Sequence, residues 1–356
     1  MERTGYADLP LHGGKCPRWL FQRMEKLARV LSEIIVYEFG PAELLARLSD
    51  PFFFQALGCV LGFDWHSSGV TTTVCGALKE GLKDAGKDMG IFVAGGKGGT
   101  SRKTPAEIDA AGRYLSIDAS KLIYASKMSA KVDNTALQDG FQLYHHCFIF
   151  TKDGRWTVVQ QGMNDTVHKA RRYHWLGEAV KDFVNEPHSA ICCDTKTEVL
   201  DLTASESAQA RDTSAEQARR NPDAVLEELK KIQSLAMPQR HPVLKEDINP
   251  DRLYKTFIKT YERQPQNFEA LLSIEGVGPK TVRALALISE LVYGSAASRK
   301  DPARFSFAHG GKDGFPFPVD RKVYDRSIQI LRSALDKAKL DDREKLGAFR
   351  RLQAWK

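Results

Sequence analysis

Residues 273–281 read Ser-Ile-Glu-Gly-Val-Gly-Pro-Lys-Thr, a pattern that predicts a glycine turn followed directly by a helix. Gly276 and Gly278 can adopt positive φ without steric cost, and Pro279 suits the first helical position, where its missing N–H has no partner. The next free amides and the helix dipole then form a site for an anion. A Gly-Pro turn between two core helices is the alternative.

Apolar residues flank this stretch on both sides at helical spacing. Phe268, Leu271 and Leu272 precede it, and Val282 and Leu285 follow it. They predict two helices that hold the turn between them. Two helices joined by a glycine hairpin constitute a helix-hairpin-helix, which binds the phosphate backbone of DNA.

The basic excess of the chain is concentrated towards its C-terminal end. The net charge is +7, yet residues 1–220 contain 27 Lys and Arg against 27 Asp and Glu, so the whole excess lies beyond them. A basic surplus on the segment that carries the hairpin is what a polyanion-binding domain needs, because each neutralised phosphate releases counterions. A solvated, lysine-rich surface is the alternative.

Composition argues against several classes of protein. No apolar run approaches the roughly 20 residues that span a bilayer, and the N-terminus has no signal-peptide pattern, so we expect a cytoplasmic protein without a membrane partner. The six cysteines form no C-x-x-C pair. Neither a zinc ribbon nor an iron–sulfur cluster is therefore indicated.

The hydrophobic pattern predicts an α+β fold. Residues 141–150 and 155–162 are β-rich runs joined by Lys152-Asp153-Gly154, which predicts a hairpin in a small antiparallel sheet. Beyond residue 222 the periodicity is helical throughout. We predict a mixed α+β domain at residues 1–195, a polar helical linker at 196–221, and an all-α helix-hairpin-helix domain at 222–356.

Two identical loops have a composition that suits phosphate. His-Gly-Gly-Lys occurs at residues 12–15 and again at 309–312. Glycines let the backbone approach a ligand and lysine supplies a charge, so Lys15 and Lys312 are candidate phosphate ligands. Coincidence among surface turns is the alternative. Residues 93–104 form a further basic loop, which lacks the spacing of a nucleotide-binding P-loop.

Residues 317–324, Phe-Pro-Val-Asp-Arg-Lys-Val-Tyr, predict an extended segment that leads into a helix capped by Asp320. Backbone amides and the helix dipole favour the charged form of such a carboxylate. If Lys280 and Asp320 face one cavity, they offer an amine nucleophile and an anion that stabilises positive charge. Arg321 adds a basic group for DNA, and a plain helix cap is the alternative for Asp320.

On these residues the C-terminal segment, about 222–356, resembles the helix-hairpin-helix DNA glycosylase superfamily. The family's hairpin reads approximately Leu-Pro-Gly-Val-Gly-x-Lys-Thr, and its catalytic aspartate follows a valine at the next helix. The resemblance implies that Lys280 forms a Schiff base with the sugar C1′ and that Asp320 assists. It implies no required cofactor, with room for a monovalent cation at the hairpin. DNA contacts would come from Gly276, Gly278, Thr281 and Arg283.

The chain departs from this family's pattern in two ways. Ile274-Glu275 replaces Leu-Pro, and the forty positions from Lys280 to Asp320 exceed the common spacing. An insertion around residues 299–316 accounts for the excess. Non-catalytic helix-hairpin-helix modules place the same lysine on a phosphate, which is the alternative role for Lys280. On residues 3–15, 62–69 and 309–314 the whole chain also resembles a prokaryotic family known as a domain of unknown function, which adds no mechanism. With the predicted DNA binding, we expect a prokaryotic, nucleoid-associated protein.

Aromatic residues and histidines supply weaker candidates. Stacking on an everted base suits Trp65, His66, Tyr173 and Trp175, although aromatic residues more often pack in a core.

An acidic and histidine set supports a different class of enzyme. A Mg²⁺ or Mn²⁺ centre of a nuclease could include Asp64, Asp139, His145 and His146. His145 and His146 are adjacent on a strand, so they point to opposite faces and cannot both bind one metal through that strand. Histidines packed in a core or at a sheet edge are the alternative.

The sequence thus predicts base-excision repair of damaged duplex DNA by a glycosylase with associated abasic-site lyase activity. A metal-dependent DNA nuclease and a non-enzymatic DNA-binding repair factor are the alternatives.

Overall fold

The computed structural model describes residues 9, 11, 16–63, 68–193, 195–234, 249–303, 321–338 and 342–354. The helices of these ranges are α1 (Arg18–Phe39), α2 (Pro41–Ser49), α3 (Pro51–Leu61), α4 (Gly69–Gly81), α5 (Ala85–Met89), α6 (Thr104–Ala111), α7 (Ala119–Lys131), α8 (Ala208–Ala218), α9 (Pro222–Ser234), α10 (Pro250–Arg263), α11 (Phe268–Ser273), α12 (Pro279–Tyr293), α13 (Arg321–Lys337) and α14 (Asp342–Ala354). The strands are β1 (Ile91–Lys97), β2 (Leu137–Gln138), β3 (Gln142–Thr151), β4 (Trp156–Asn164), β5 (Lys169–Leu176), β6 (Ala190–Cys192) and β7 (Leu200–Asp201).

The strands form a five-stranded antiparallel sheet in the order β1-β3-β4-β5-β6 and a separate pair, β2 and β7. The predicted hairpin is confirmed: β3 and β4 pair from Phe150 and Trp156 outward, and Gly154 takes a positive φ of 91° in the turn. The mixed α+β class with a small antiparallel sheet is confirmed as well.

Helices cover both faces of the five-stranded sheet. Cys147 and Ile149 of β3 belong to a core cluster that includes α1, α2, α3 and α4. Phe148 and Phe150 alternate with them and belong to a second cluster that includes α7, α8 and α12. Because successive strand residues point to opposite faces, the two clusters lie on opposite sides of the sheet. Burial on both sides explains why the four consecutive residues 147–150 of β3, Cys-Phe-Ile-Phe, are all apolar.

The segment predicted as a polar linker contains a buried helix. Ala210, Ala215 and Ala218 of α8 are at most 2 % exposed. Ser214 Oγ lies 3.3 Å from Ser289 Oγ of α12. Small side chains let two helix backbones approach closely, so the polar and small composition of 196–221 marks a packing surface. This corrects the prediction of a linker between two domains.

The predicted all-helical domain at 222–356 also divides. Leu331 and Leu335 of α13 and Leu352 of α14 are buried in the cluster that contains α1 and α3. Lys337 Nζ pairs with Glu38 of α1 at 2.6 Å. The helices α11 and α12 belong to the cluster on the other side of the sheet. Consequently α12 and α13 lie in different helical layers, with the sheet between them.

A test of the described helices for membrane-spanning length and composition finds none that passes on its own. The pair α2 and α3 passes only when joined across a bend of 97°. Most residues of both helices are buried within the protein.

Candidate nucleic-acid interface

The glycine turn lies between α11 and α12, where the sequence predicts it. The Val277 amide donates to the Ile274 carbonyl at 3.2 Å, which closes the turn. Gly276 has a φ of 93°, a conformation that favours glycine. Pro279 then opens α12 at the first helical position, with Gly278 as the N-cap residue.

One side of this turn is anchored in the core. Val277, Leu271 and Val282 are 0 % exposed. They belong to the apolar cluster that also includes residues of β3, β4 and β5. The turn is therefore held rigidly, and a ligand on its other side would meet a preformed surface.

The other side of the turn is open. A Cβ placed on Gly278 would have no heavy atom within 4 Å. The helix α12 begins without a side-chain cap, so the amides of Lys280 and Thr281 in its first turn have no partner within the helix. These amides and the positive end of the helix dipole form an anion site, and the Lys280 side chain is exposed beside it.

A basic face of α10 adjoins this site. On that face Lys259 Nζ lies 4.0 Å, and Thr256 Oγ1 3.8 Å, from the point that a Cβ on Gly276 would occupy. Residues three, four and seven apart share a helix face, so further exposed basic side chains line up with Lys259. They are Arg252, Lys255 and Arg263. We call Gly276, Gly278, Lys280 and the four basic residues of α10 the hairpin surface.

The basic side chains of the hairpin surface are unpaired. Within the described ranges, none of the five forms an ion pair, although exposed Glu262 of α10 and Glu275 of the turn lie near them in the sequence. By contrast, Arg220 on the neighbouring segment pairs with Glu228 at 2.8 Å. Five unpaired cations beside an amide-lined anion site outnumber these two acids, which favours a local positive potential that attracts a polyanion.

A side-chain bridge joins the turn to the sheet region. Gln138 Nε2 of β2 donates to the Pro279 carbonyl at 2.9 Å, and Arg283 Nε donates to Gln138 Oε1 at 2.8 Å. Arg283 is accordingly half-buried, and the Thr281 side chain is 2 % exposed. Of these two predicted DNA contacts, Thr281 can therefore offer its backbone amide, whereas the Arg283 guanidinium group is held by Gln138.

Several predicted site residues cannot be placed against this surface. Outside the described residues are Lys15, Asp64, Trp65, His66, Lys312 and Asp320, together with the side chain of Arg321. The backbone of Arg321 begins α13.

The two described aromatic candidates are core residues. Tyr173 and Trp175 are both 0 % exposed. Tyr173 Oη donates to Asp139 Oδ2 at 2.7 Å, and Trp175 Nε1 donates to Asp133 Oδ2 at 3.0 Å. Neither ring presents a face on which a base could stack, which corrects their prediction as pocket residues.

The predicted metal ligands that the structure describes are not arranged around one metal. One of them is held in an ion pair, and two point in opposite directions. Arg171 binds Asp139 at 3.0 Å and Asp301 at 2.7 Å, and all three side chains are buried. Burial alone would lower the pKa of Arg171, but these carboxylates raise it above its ordinary value, which keeps the ion pair charged. His145 and His146 point to opposite faces of the sheet. No group of three or more His, Cys, Asp or Glu in the described part of the chain is arranged to hold a metal.

Comparison with known protein families matches residues 5–319 to a family described as "Protein of unknown function (DUF763)". The chain belongs to that family. The match includes the sheet and the hairpin surface and ends before α13, and it confirms the resemblance of nearly the whole chain to a domain of unknown function. The helix-hairpin-helix glycosylase superfamily is not matched. No curated protein and no solved structure matches the chain.

The basic residues of α10 were not among the predicted site residues. Its signal is present in the sequence, since Arg252, Lys255, Lys259 and Arg263 recur at helical spacing. Basic residues at this spacing are usually a solvated face, however. Only the contact of α10 with Gly276 shows that the face adjoins the glycine turn.

Proposed function

We propose that this protein binds DNA through the hairpin surface, and that it contacts the sugar-phosphate backbone. The observation that best supports the proposal is that the uncapped start of α12 lies beside a face of α10 whose basic side chains are unpaired. Each feature favours an anion, and together they favour a ligand with several regularly spaced negative charges.

One phosphate would lie at the start of α12. The amides of Lys280 and Thr281 would donate to its oxygens, and the Lys280 side chain would add a positive charge. Gly278 contributes no side chain between these amides and a ligand, so an oxygen can reach hydrogen-bonding distance. In this role Lys280 is a phosphate contact.

Further phosphates would lie along α10. From Arg252 to Arg263 the helix rises by about 16 Å. Along the axis of a DNA duplex, successive phosphates of one strand are about 3.4 Å apart. The four basic side chains of α10 can therefore contact several phosphates. Contacts of this kind position a protein on DNA without reading its sequence, and we therefore expect little sequence preference.

Salt-dependent equilibrium binding tests the proposal. Fluorescence anisotropy with a labelled duplex is expected to show affinity that falls steeply as potassium chloride rises. Lys259→Ala and Lys280→Ala should each weaken binding and reduce the slope of log K against log salt by about one. Lys26→Ala is the matched control, because Lys26 is equally exposed on α1, in the other helical layer. Binding that is independent of salt, or unchanged in both variants, would contradict the proposal.

The predicted glycosylase and lyase activity needs more than the hairpin surface supplies. It requires Lys280 to act as a partly neutral amine and to meet Asp320 in one cavity. Lys280 is exposed, and Asp320 lies outside the described residues. The geometry therefore favours DNA binding ahead of base excision.

Borohydride trapping decides the catalytic question separately from DNA binding. A covalent adduct with an abasic or damaged duplex that disappears in Lys280→Ala would establish the lyase. DNA binding without an adduct is the outcome that the geometry favours. Strand products that disappear with EDTA would instead establish the predicted nuclease.

A further inference from the structure

A cavity of about 250 Å³ lies where the turn before α6, the helix α7 and the strand β3 meet. Its lining includes the exposed cations Arg102 and Lys127 and, on the helix α7, Ser126. None of the described residues that line it carries a carboxylate. Cations without a neighbouring acid favour an anionic ligand.

Ser126 connects this cavity to a buried chain of hydrogen bonds. It is 2 % exposed, so its hydroxyl group is reached through the cavity. Ser126 Oγ lies 2.9 Å from His146 Nε2, and His146 Nδ1 lies 2.7 Å from Gln160 Oε1. Gln160 Nε2 in turn donates to Asp133 Oδ2 at 2.5 Å and to the Ser129 carbonyl at 3.3 Å.

This chain fixes the tautomer of His146. The Gln160 amide nitrogen faces a carboxylate and a carbonyl, both of which only accept, so its oxygen must face the histidine. That oxygen accepts from Nδ1–H, which leaves Nε2 as an acceptor for the Ser126 hydroxyl proton. Burial lowers the pKa of His146, so the ring is neutral near pH 7. A hydroxyl group that donates to a neutral imidazole is arranged as a nucleophile with its general base.

We propose that this cavity is a phosphoryl-transfer site for a small phosphate ester. Ser126 Oγ attacks phosphorus, the bond from phosphorus to the ester oxygen breaks, and His146 takes the serine proton and passes it to the departing alcohol. Water then attacks the phosphoserine with His146 as base, which releases inorganic phosphate and restores Ser126. Arg102 and Lys127 bind the non-bridging oxygens, whose charge must be stabilised in both steps.

The full chain with p-nitrophenyl phosphate tests this proposal. We expect release of p-nitrophenolate and, after an acid quench, one phosphoryl group on the peptide that contains Ser126. Ser126→Ala should lose both signals. Ser120→Ala is the matched control, because Ser120 is an exposed serine of the same helix and lies outside the cavity lining, so this variant should keep both signals.

A second variant guards against loss of folding. Arg102 and Lys127 are exposed, so their joint replacement by alanine should leave the fold intact. This double variant should lower kcat/KM by about a hundredfold, as expected when groups that stabilise transition-state charge are removed. No release by the wild-type chain, release that both variants retain, or a phosphoryl group on another residue would overturn the proposal. DNA binding by Ser126→Ala should stay at the wild-type level, which separates this site from the hairpin surface.

Discussion

The ammonium nitrogen of Lys259 lies 4.0 Å from the point where a Cβ on Gly276 would stand. Gly276 follows Lys259 by seventeen positions along the chain, yet this contact joins α10 and the hairpin turn into one positively charged surface. A glycine turn at a helix start is a general anion site, whereas a turn bordered by a row of lysines and arginines suits a polyanion. The predictions below test how that surface is built and what it binds.

The conformation of Gly276 should make alanine costly at this position. The nearest heavy atom to a Cβ there is 3.8 Å away, so the added methyl group fits. The φ of 93°, however, is unfavourable for an L-residue. Gly276→Ala should therefore lower the free energy of unfolding by about 1–2 kcal/mol, measured by urea denaturation.

Gly99→Ala is the control for that measurement. Gly99 also has open space at its Cβ position and no positive φ, so its replacement should have a much smaller effect. Equal stabilities of the two variants would show that backbone conformation does not set the requirement for glycine at 276.

Much of the fold is predictable because its signals are local. The helix break at Gly40-Pro41, the hairpin turn at Lys152-Asp153-Gly154 and the start of α12 at Pro279 are all found where the sequence places them. Each depends on a glycine or proline whose backbone preference holds in any context. The packing of these elements depends on partners distant in sequence and was predicted less well.

The helix α8 illustrates why packing was missed. Its alanines and serines have little hydrophobicity, and a polar segment of this kind is typical of a linker. In the structure these small side chains allow α8 to approach α12 closely. The division of residues 222–356 between two helical layers was missed for a related reason, because helical periodicity shows which face of α13 is apolar but not which layer it joins.

The candidate site was predictable in part. The glycine turn carries its own conformational signature, and its place at the start of α12 was predicted. The chain from Ser126 through His146 and Gln160 to Asp133 has no sequence motif, because its members come from α7, two strands and the turn after α7. Tyr173 and Trp175 were misread because an aromatic residue in the core and one in a pocket look alike in a sequence.

The carboxylate of Asp133 should be a strong determinant of stability. It is 0 % exposed and accepts from the indole of Trp175, from Gln160 and from His188. Asp133→Ala would leave these buried donors without a partner. We expect a loss of about 3 kcal/mol or more in urea denaturation.

Asp109→Ala is the matched control, since Asp109 is exposed on α6. Its effect should be within about 0.5 kcal/mol. An Asp133→Ala chain as stable as this control would show that the buried donors find other partners.

Buried histidines should make stability depend on pH. Burial, followed by the charges of His146, Lys97 and Arg172, lowers the pKa of His145 from 6.5 to about 3. Between these values the unfolded chain binds a proton that the folded chain does not, so acid favours unfolding. His145 alone should reduce the free energy of unfolding by about 1.4 kcal/mol for each pH unit as the pH falls through this window. Above pH 6.5 both states are neutral at this site and the effect is absent.

Urea titrations at several pH values between about 7 and 4 measure this dependence. His145→Gln should reduce the slope of the free energy of unfolding against pH by the contribution of one bound proton. His168→Asn is the control substitution, because His168 is exposed and asparagine tolerates its positive φ. An unchanged slope in His145→Gln would show that His145 is charged in the folded protein.

Gly278→Asp tests whether the start of α12 holds a DNA phosphate, because that proposal predicts opposite effects on stability and on DNA binding. The backbone at Gly278 is extended and its Cβ position is open, so aspartate can cap the free amides of α12. The capped helix should be more stable by about 1 kcal/mol, because the carboxylate also complements the helix dipole.

The same carboxylate would occupy the site proposed for a phosphate. Affinity for a duplex, measured by fluorescence anisotropy at fixed salt, should then fall by about a hundredfold, since about 3 kcal/mol of hydrogen bonds and charge attraction is lost. A folded Gly278→Asp chain that binds DNA as tightly as the wild type would contradict the proposal that the start of α12 holds the DNA backbone.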